Sequence, residues 1–178
     1  IDNPRGSNVV FAYPTSINES TLPHKVSVFY DFIEAVCASC KNKEVLVFYK
    51  SKQDVKGQRG DPVDPEQLLV DQVASNKMSG ELGGRFRVLD KNINVYDSYD
   101  AIDIGFVFSM STVAFELLQN KKKVLVYWPS CMAPHPFSLK TPLLVASSIN
   151  DFVEKVEKLQ KMPYPEYEDY ILPTLEYC

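Results

Sequence analysis

Short apolar runs alternate along this chain with longer stretches whose apolar residues recur every three or four positions, and that alternation predicts the order of elements. Val9 to Tyr13, Val45 to Tyr49, Phe86 to Leu89, Ile104 to Phe108, Val124 to Trp128 and Leu143 to Ala146 read as strands, most of them apolar throughout, as strands buried on both faces are. Between them, Val26, Phe29, Tyr30, Phe32, Ile33 and Val36 mark an amphipathic helix running to Cys37, with Thr21 as its cap and Pro23 in its first turn. Pro65 opens a second helix through Leu68, Leu69, Val70 and Val73, and Asn76 to Gly84 reads as a glycine-containing loop. Asp90 to Tyr99 is too short and polar for a full helix, and Tyr96, Tyr99 and Ile102 are expected to pack beneath the sheet. Ser147 or Ser148 caps a later helix with Phe152, Val153, Val156 and Leu159 on one face, ending near Lys161. Strands alternating with helices in this way predict an α/β fold, a doubly wound, mainly parallel sheet of five or six strands with helices on both faces. Residues 1–162 form the expected domain, and 163–178 a helical tail packing on it.

The stretch from Tyr99 to Trp128 carries the most chemistry. The strand Ile104 to Phe108 stops at a hydroxyl cluster, Ser109, Ser111 and Thr112, from which a helix with Val113, Phe115, Leu117 and Leu118 departs. Such a turn lies at the carboxyl end of a strand, where open α/β sheets bind ligands. Two readings stand for the hydroxyls. They cap the helix, or they join the exposed N–H groups at Val113 and its neighbours in holding a phosphate. Glu116 follows Thr112 by four residues, one turn on along roughly the same face. A carboxylate there could accept two hydrogen bonds from the vicinal hydroxyls of a ribose, or simply favour the helix dipole. Lys50 and Lys52 end the second strand on the same rim and are candidates to neutralise that phosphate. Gln53 to Asp64, with Arg59 in it, is a loop able to close over a ligand, and Arg59 and His135 complete the candidate set as accessory residues.

Composition narrows the classes. In 178 residues, 45% hydrophobic and 24% charged residues with a net charge of −4 fit one globular domain and argue against a general nucleic-acid binder. No apolar run reaches the roughly 18–20 residues of a membrane span. Four cysteines are too sparse for a disulfide framework. The C-A-S-C pair Cys37 and Cys40 lies at the end of a helix pattern rather than its start, which favours buried thiols over a zinc half-site or redox motif. The expected setting is the cytoplasm. Asp100 and Asp103 do not form an Asp-x-Asp motif and precede a strand, so neither metal nor cofactor is expected. The chain begins at Ile1 rather than methionine and is read as a piece of a larger protein.

The segment Asp103 to Tyr127, a strand ending in a Ser/Ser-Thr turn, a helix with an acid, then a strand of the type K-x-V-L-V-Y, resembles the C-terminal, Rossmann-like nucleotide-binding half of GT-B glycosyltransferases. Within that group it is most similar to bacterial surface-polysaccharide and capsule enzymes, including Kdo-transferase and glycerophosphotransferase relatives. The resemblance implies that Ser109, Ser111, Thr112 and the amides after them hold the phosphate of a nucleotide-sugar donor, and that Glu116 takes the ribose. It also implies an acceptor-binding N-terminal domain supplied from outside these residues and peripheral association of the full-length protein with the inner face of the membrane; the charge balance already leaves no nucleic-acid partner expected. Several of those families carry a His-Pro pair at the end of the second strand, where this chain has Lys50-Ser51-Lys52. Here His135-Pro136 comes only after the fifth strand. Two other readings share the architecture: a flavodoxin-like binding domain, for which Pro14 to Thr21 partly matches an FMN loop, and half of a nucleotide-sugar epimerase.

Overall fold

The structure, a computed structural model, describes residues 8–14, 25–50, 65–89, 93, 95–108, 111–129 and 141–175. Among these residues six strands, β1 (Asn8–Pro14), β2 (Val45–Tyr49), β3 (Phe86–Val88), β4 (Ile104–Phe108), β5 (Lys123–Tyr127) and β6 (Val145–Ala146), form one sheet. Its order is β3-β2-β1-β4-β5-β6 and every pairing is parallel. All carboxyl ends therefore share one rim. The order reverses between β1 and β4, where Pro14 is in register with Phe108. A crevice opens beyond the strands at such a reversal because the flanking connections depart to opposite sides.

Helices cover both faces. On one lie α1 (Lys25–Cys40), α2 (Pro65–Leu82) and α4 (Ile149–Lys161). Phe29 and Phe32 of α1 meet Phe108 of β4 at ring-centroid distances of 5.6 Å each, and Phe152 of α4 meets Phe106 at 4.9 Å. These rings are wholly buried and form the centre of the core; each such pair contributes about 0.5–1.5 kcal/mol beyond its burial. Tyr49, at the end of β2, donates to Oδ1 of the buried Asp71 at 2.6 Å and ties α2 to the sheet.

On the opposite face α3 (Thr112–Gln119) packs across β4 and β5. It approaches closely because of Gly105. A β-carbon built at Gly105 would stand 2.3 Å from Cδ1 of the fully buried Leu117. The glycine thus sets the depth at which α3 lies.

The segment from Asn76 differs from the sequence expectation. No loop begins there; α2 continues to Leu82, and only Gly83–Arg85 turns as a 3-10 helix, with Gly83 at φ 59°. Ala74, Met78 and Leu82, four residues apart, are all buried, and that burial outweighs the weak helix propensity of Asn76, Ser79 and Gly80. Val95–Ala101 is a 3-10 segment, in keeping with a connection too short for an α-helix, and it buries Tyr99.

The last helix, α5 (Tyr164–Leu175), closes the amino end of the sheet. Tyr167 is fully buried and its hydroxyl accepts the Val124 N–H at 2.9 Å. Beside it, the Lys123 ammonium donates to the carbonyls of Leu159 and Met162 at 2.6 Å each, and burial lowers its pKa. Tyr167→Phe leaves a buried N–H without its acceptor, a cost of about 1–3 kcal/mol. In a domain this size the melting temperature should fall by roughly 2–12 °C. An unchanged thermal melt would show that α5 does not depend on this contact.

Candidate functional site

The hydroxyl turn lies where the sheet order reverses. Ser111 is in extended conformation, and its side-chain oxygen accepts the Val113 N–H at 3.2 Å, so it is the N-cap of α3. Capping and anion binding use the same donors. A phosphate seated here would share the Val113 amide with Ser111 Oγ and could also take the Ser111 hydroxyl proton and the amide of the exposed Thr112.

Glu116 lies one turn further along α3 and is half-buried. Its Oε2 accepts a hydrogen bond from the Tyr99 hydroxyl at 2.7 Å. Tyr99 is only 3% exposed, so the donor is rigid and fixes one edge of the carboxylate. Sequence reasoning placed Tyr99 in the packing under the sheet and gave it no part in the site. Nothing in a tyrosine 17 residues before an acid announces the contact.

Lys50 stands on the same rim, half-buried at the end of β2, and its ammonium donates to the Ile93 carbonyl. Strands β2 and β4 are separated by β1, which places Lys50 two strand spacings, roughly 10 Å, from the hydroxyl turn. The structure therefore brings Ser111, Thr112, Val113 and Glu116 together on one helix and sets Lys50 across β1 from them. Ser109, Lys52, Arg59 and His135 lie outside the described residues, as do the loop after β1 and the proline-rich segment holding His135-Pro136.

Cys37 and Cys40 are free and buried. Burial is the main cause that pushes their thiols up, to about 11 and about 12 respectively, so both stay protonated near neutrality and are poor nucleophiles or metal ligands. Among the described residues no group of three His, Cys, Asp or Glu side chains is placed to hold a metal ion. No helix among them is long and apolar enough to cross a membrane.

A six-stranded parallel sheet of this order, with a capped helix at its reversal, is a Rossmann-like α/β domain of the kind found in GT-B glycosyltransferases. Solved structures similar to it include trehalose-6-phosphate synthases. One from Burkholderia multivorans superposes with a TM-score of 0.65 at 10% identity, over 96% of this chain and 38% of that one. A UDP-forming synthase from Burkholderia xenovorans in complex with glucose-6-phosphate gives 0.61 at 11% identity, over 96% and 39%. The trehalose-6-phosphate synthase OtsA gives 0.62 at 11%, again over 96% and 39%. The chain thus spans about two fifths of the length of the enzymes it resembles. No family model matches the sequence, and no curated protein does. At such identities the likeness is one of fold. It supports a GT-B-like fold, while the expected kinship with capsule and surface-polysaccharide enzymes gains no support from these structures.

Proposed function

We propose that this chain is the donor-nucleotide-binding half of a glycosyltransferase, taking a nucleotide-sugar as substrate and acting with an acceptor-binding domain beyond it. One observation carries the reading: at the reversal of the sheet, the Ser111-capped start of α3 and the Glu116 carboxylate occupy successive turns of one helix. A diphosphate at the helix start puts its negative charge against the positive end of the dipole, and the attached ribose comes to lie one turn along, beside Glu116.

In transfer, charge develops on the departing nucleotide phosphate. Amides and hydroxyls already aimed at that position stabilise it without reorganising, so this half of the enzyme contributes to catalysis by orientation and electrostatics. Ser111 and Thr112 hold the phosphate, Glu116 fixes the ribose, and Lys50 adds positive charge across the rim. Ser109, Lys52, Arg59 and His135 remain candidates for the same anion. The chemistry as proposed requires neither metal nor cofactor. A cell-surface polysaccharide or other glycan is the proposed acceptor, and the cytoplasm, at the inner face of the membrane, the proposed place of work.

The similar enzymes that are described as UDP-forming make UDP the first nucleotide to test. Calorimetry with UDP, GDP, CDP and CMP should show one diphosphate binding to the chain, weakly, in the absence of the acceptor half. Ser111→Ala should weaken that binding, since it removes both a hydroxyl donor and the cap that orders the helix start, the latter contributing about 0.5–2 kcal/mol. Absence of binding by every nucleotide to the chain and to the longer protein containing it would overturn the reading.

A further inference from the structure

Lys50 and Glu116, the two charged residues of the donor site among the described ones, belong to elements on opposite sides of β1. One short stretch of chain reaches both. The Ile93 carbonyl, between β3 and β4, accepts from the Lys50 ammonium, and further along the same connection the Tyr99 hydroxyl donates to Glu116 Oε2 at 2.7 Å. We propose that Ile93 and the 3-10 stretch Val95–Ala101 form a positioning element that sets Lys50 and Glu116 relative to each other, acting through the Ile93 carbonyl and the Tyr99 hydroxyl. The phosphate and ribose contacts of the donor are then made as a unit and not independently. This role in binding rests on the donor-site reading; the coupling of the two residues is a property of the ligand-free chain.

The far end of the stretch is pinned. The Asp103 N–H bonds the Val9 carbonyl at 2.9 Å and Asp103 Oδ2 accepts the Val9 N–H at 2.6 Å, which staples the chain to β1 just before β4 begins. Ser98, Tyr99 and Ile102 are buried, and the Ile102 N–H closes a turn on the Tyr99 carbonyl at 3.1 Å. Close packing leaves the Tyr99 ring little freedom of its own, so its hydroxyl moves with the backbone that carries it.

The near end is held by Lys50. Between the two lie seven residues of 3-10 helix, where runs longer than three or four are uncommon because the hydrogen-bond geometry is poorer than in an α-helix. Such a stretch depends on the contacts that hold it more than on its own ladder. At about 2 Å per residue the turns from Val95 to Tyr99 advance about 8 Å, most of the roughly 10 Å that separates β2 from β4. A phenylalanine at residue 99 would fill the same buried space; the hydroxyl is what joins the stretch to the carboxylate. An ammonium has three donors, so holding Ile93 does not remove the Lys50 charge from the rim.

The test has two arms. In the first, calorimetry compares a ribonucleoside diphosphate with its deoxyribo counterpart on Lys50→Met. Loss of charge alone weakens both by one factor and leaves their ratio intact. Release of the stretch shrinks the ratio, by about threefold and by no more than Tyr99→Phe does, because the effect passes through that residue. Lys50→Arg, which keeps the charge and a donor for the Ile93 carbonyl, should restore the ratio.

The second arm needs no nucleotide. Urea unfolding of the chain, of Lys50→Met, of Glu116→Ala and of the double variant closes a cycle. Residues this far apart with no shared partner are additive, whereas members of one network are not; an interaction of about threefold or more in the unfolding constant is expected. In a Tyr99→Phe background that interaction should vanish. One that survives there is direct attraction between the two charges and overturns the proposal, as does an additive cycle or an unchanged nucleotide ratio in Lys50→Met. If no nucleotide binds, the donor-site reading falls and the unfolding cycle decides the coupling by itself. If nucleotides bind and the cycle is additive, the coupling falls and the donor site stands.

Discussion

Glu116→Ala should lower the affinity for the bound nucleoside diphosphate about ten- to a hundredfold and abolish the preference for ribose over deoxyribose. Hydrogen bonds to a charged acceptor contribute about 1.5–3 kcal/mol each, and the lost hydroxyl contacts have no substitute once the carboxylate is gone. Competition calorimetry with the ribo- and deoxyribonucleotide pair separates this from a general loss of fold. A variant that binds both more weakly by the same factor has a damaged helix, not a missing ribose contact. Tyr99→Phe adds the complementary measurement. Its hydroxyl touches Glu116 Oε2 at 2.7 Å, so removing it should shrink the sugar preference by a smaller factor in the same direction. Unchanged discrimination in both variants would remove Glu116 from the site.

The second large effect is expected at Gly105. Gly105→Ala places a methyl 2.3 Å from Leu117 Cδ1, a separation no pair of carbons tolerates. Leu117 is fully buried between α3 and the sheet, so its side chain must turn within packed surroundings or the helix must shift outward. Overpacking of this kind costs about 1–3 kcal/mol, or roughly 2–12 °C of melting temperature here. Because the element that must adjust is the one bearing Ser111 and Glu116, a fall in nucleotide affinity together with stability is expected where the helix shifts, and a fall in stability alone where only Leu117 turns. Leu117→Ala alone leaves a cavity at a cost of about 2–5 kcal/mol. Combined with Gly105→Ala it should be less destabilising than the sum, since the new methyl fills part of the vacated space. Strict additivity in thermal melts would mean that the two residues do not meet.

Much of the architecture was legible because it is written in local pattern. The limits of β2 and β4 match their apolar runs, and the hydroxyl cluster does end in a helix cap, at Ser111. What escaped was decided across the sheet. Nothing in the spacing of Val9 and Ile104 says that β1 and β4 are neighbours, yet that pairing creates the reversal on which the site depends. Gly105 is the one small residue of the apolar run Ile104 to Phe108, and only the packing of α3 over it shows what its lack of a side chain is for. Asn76 to Gly84 carries loop-like residues, and only the four-residue recurrence of Ala74, Met78 and Leu82 pointed the other way. The candidate site was legible in the part carried by α3 alone. Its Tyr99 component was not, and the spatial relation of Lys50 to the turn required the strand order.

Among the described residues the sheet's outermost members are its shortest: β3 has three residues and β6 two. An unpaired strand margin invites another polypeptide to zip onto it, and the strength of that invitation grows with the number of main-chain groups in the row. Here each row is too brief to template a lasting addition, even beside the outward-facing Val88. Neighbouring polypeptides are thereby steered toward side-chain surfaces, and self-association into fibrils by way of these margins is discouraged.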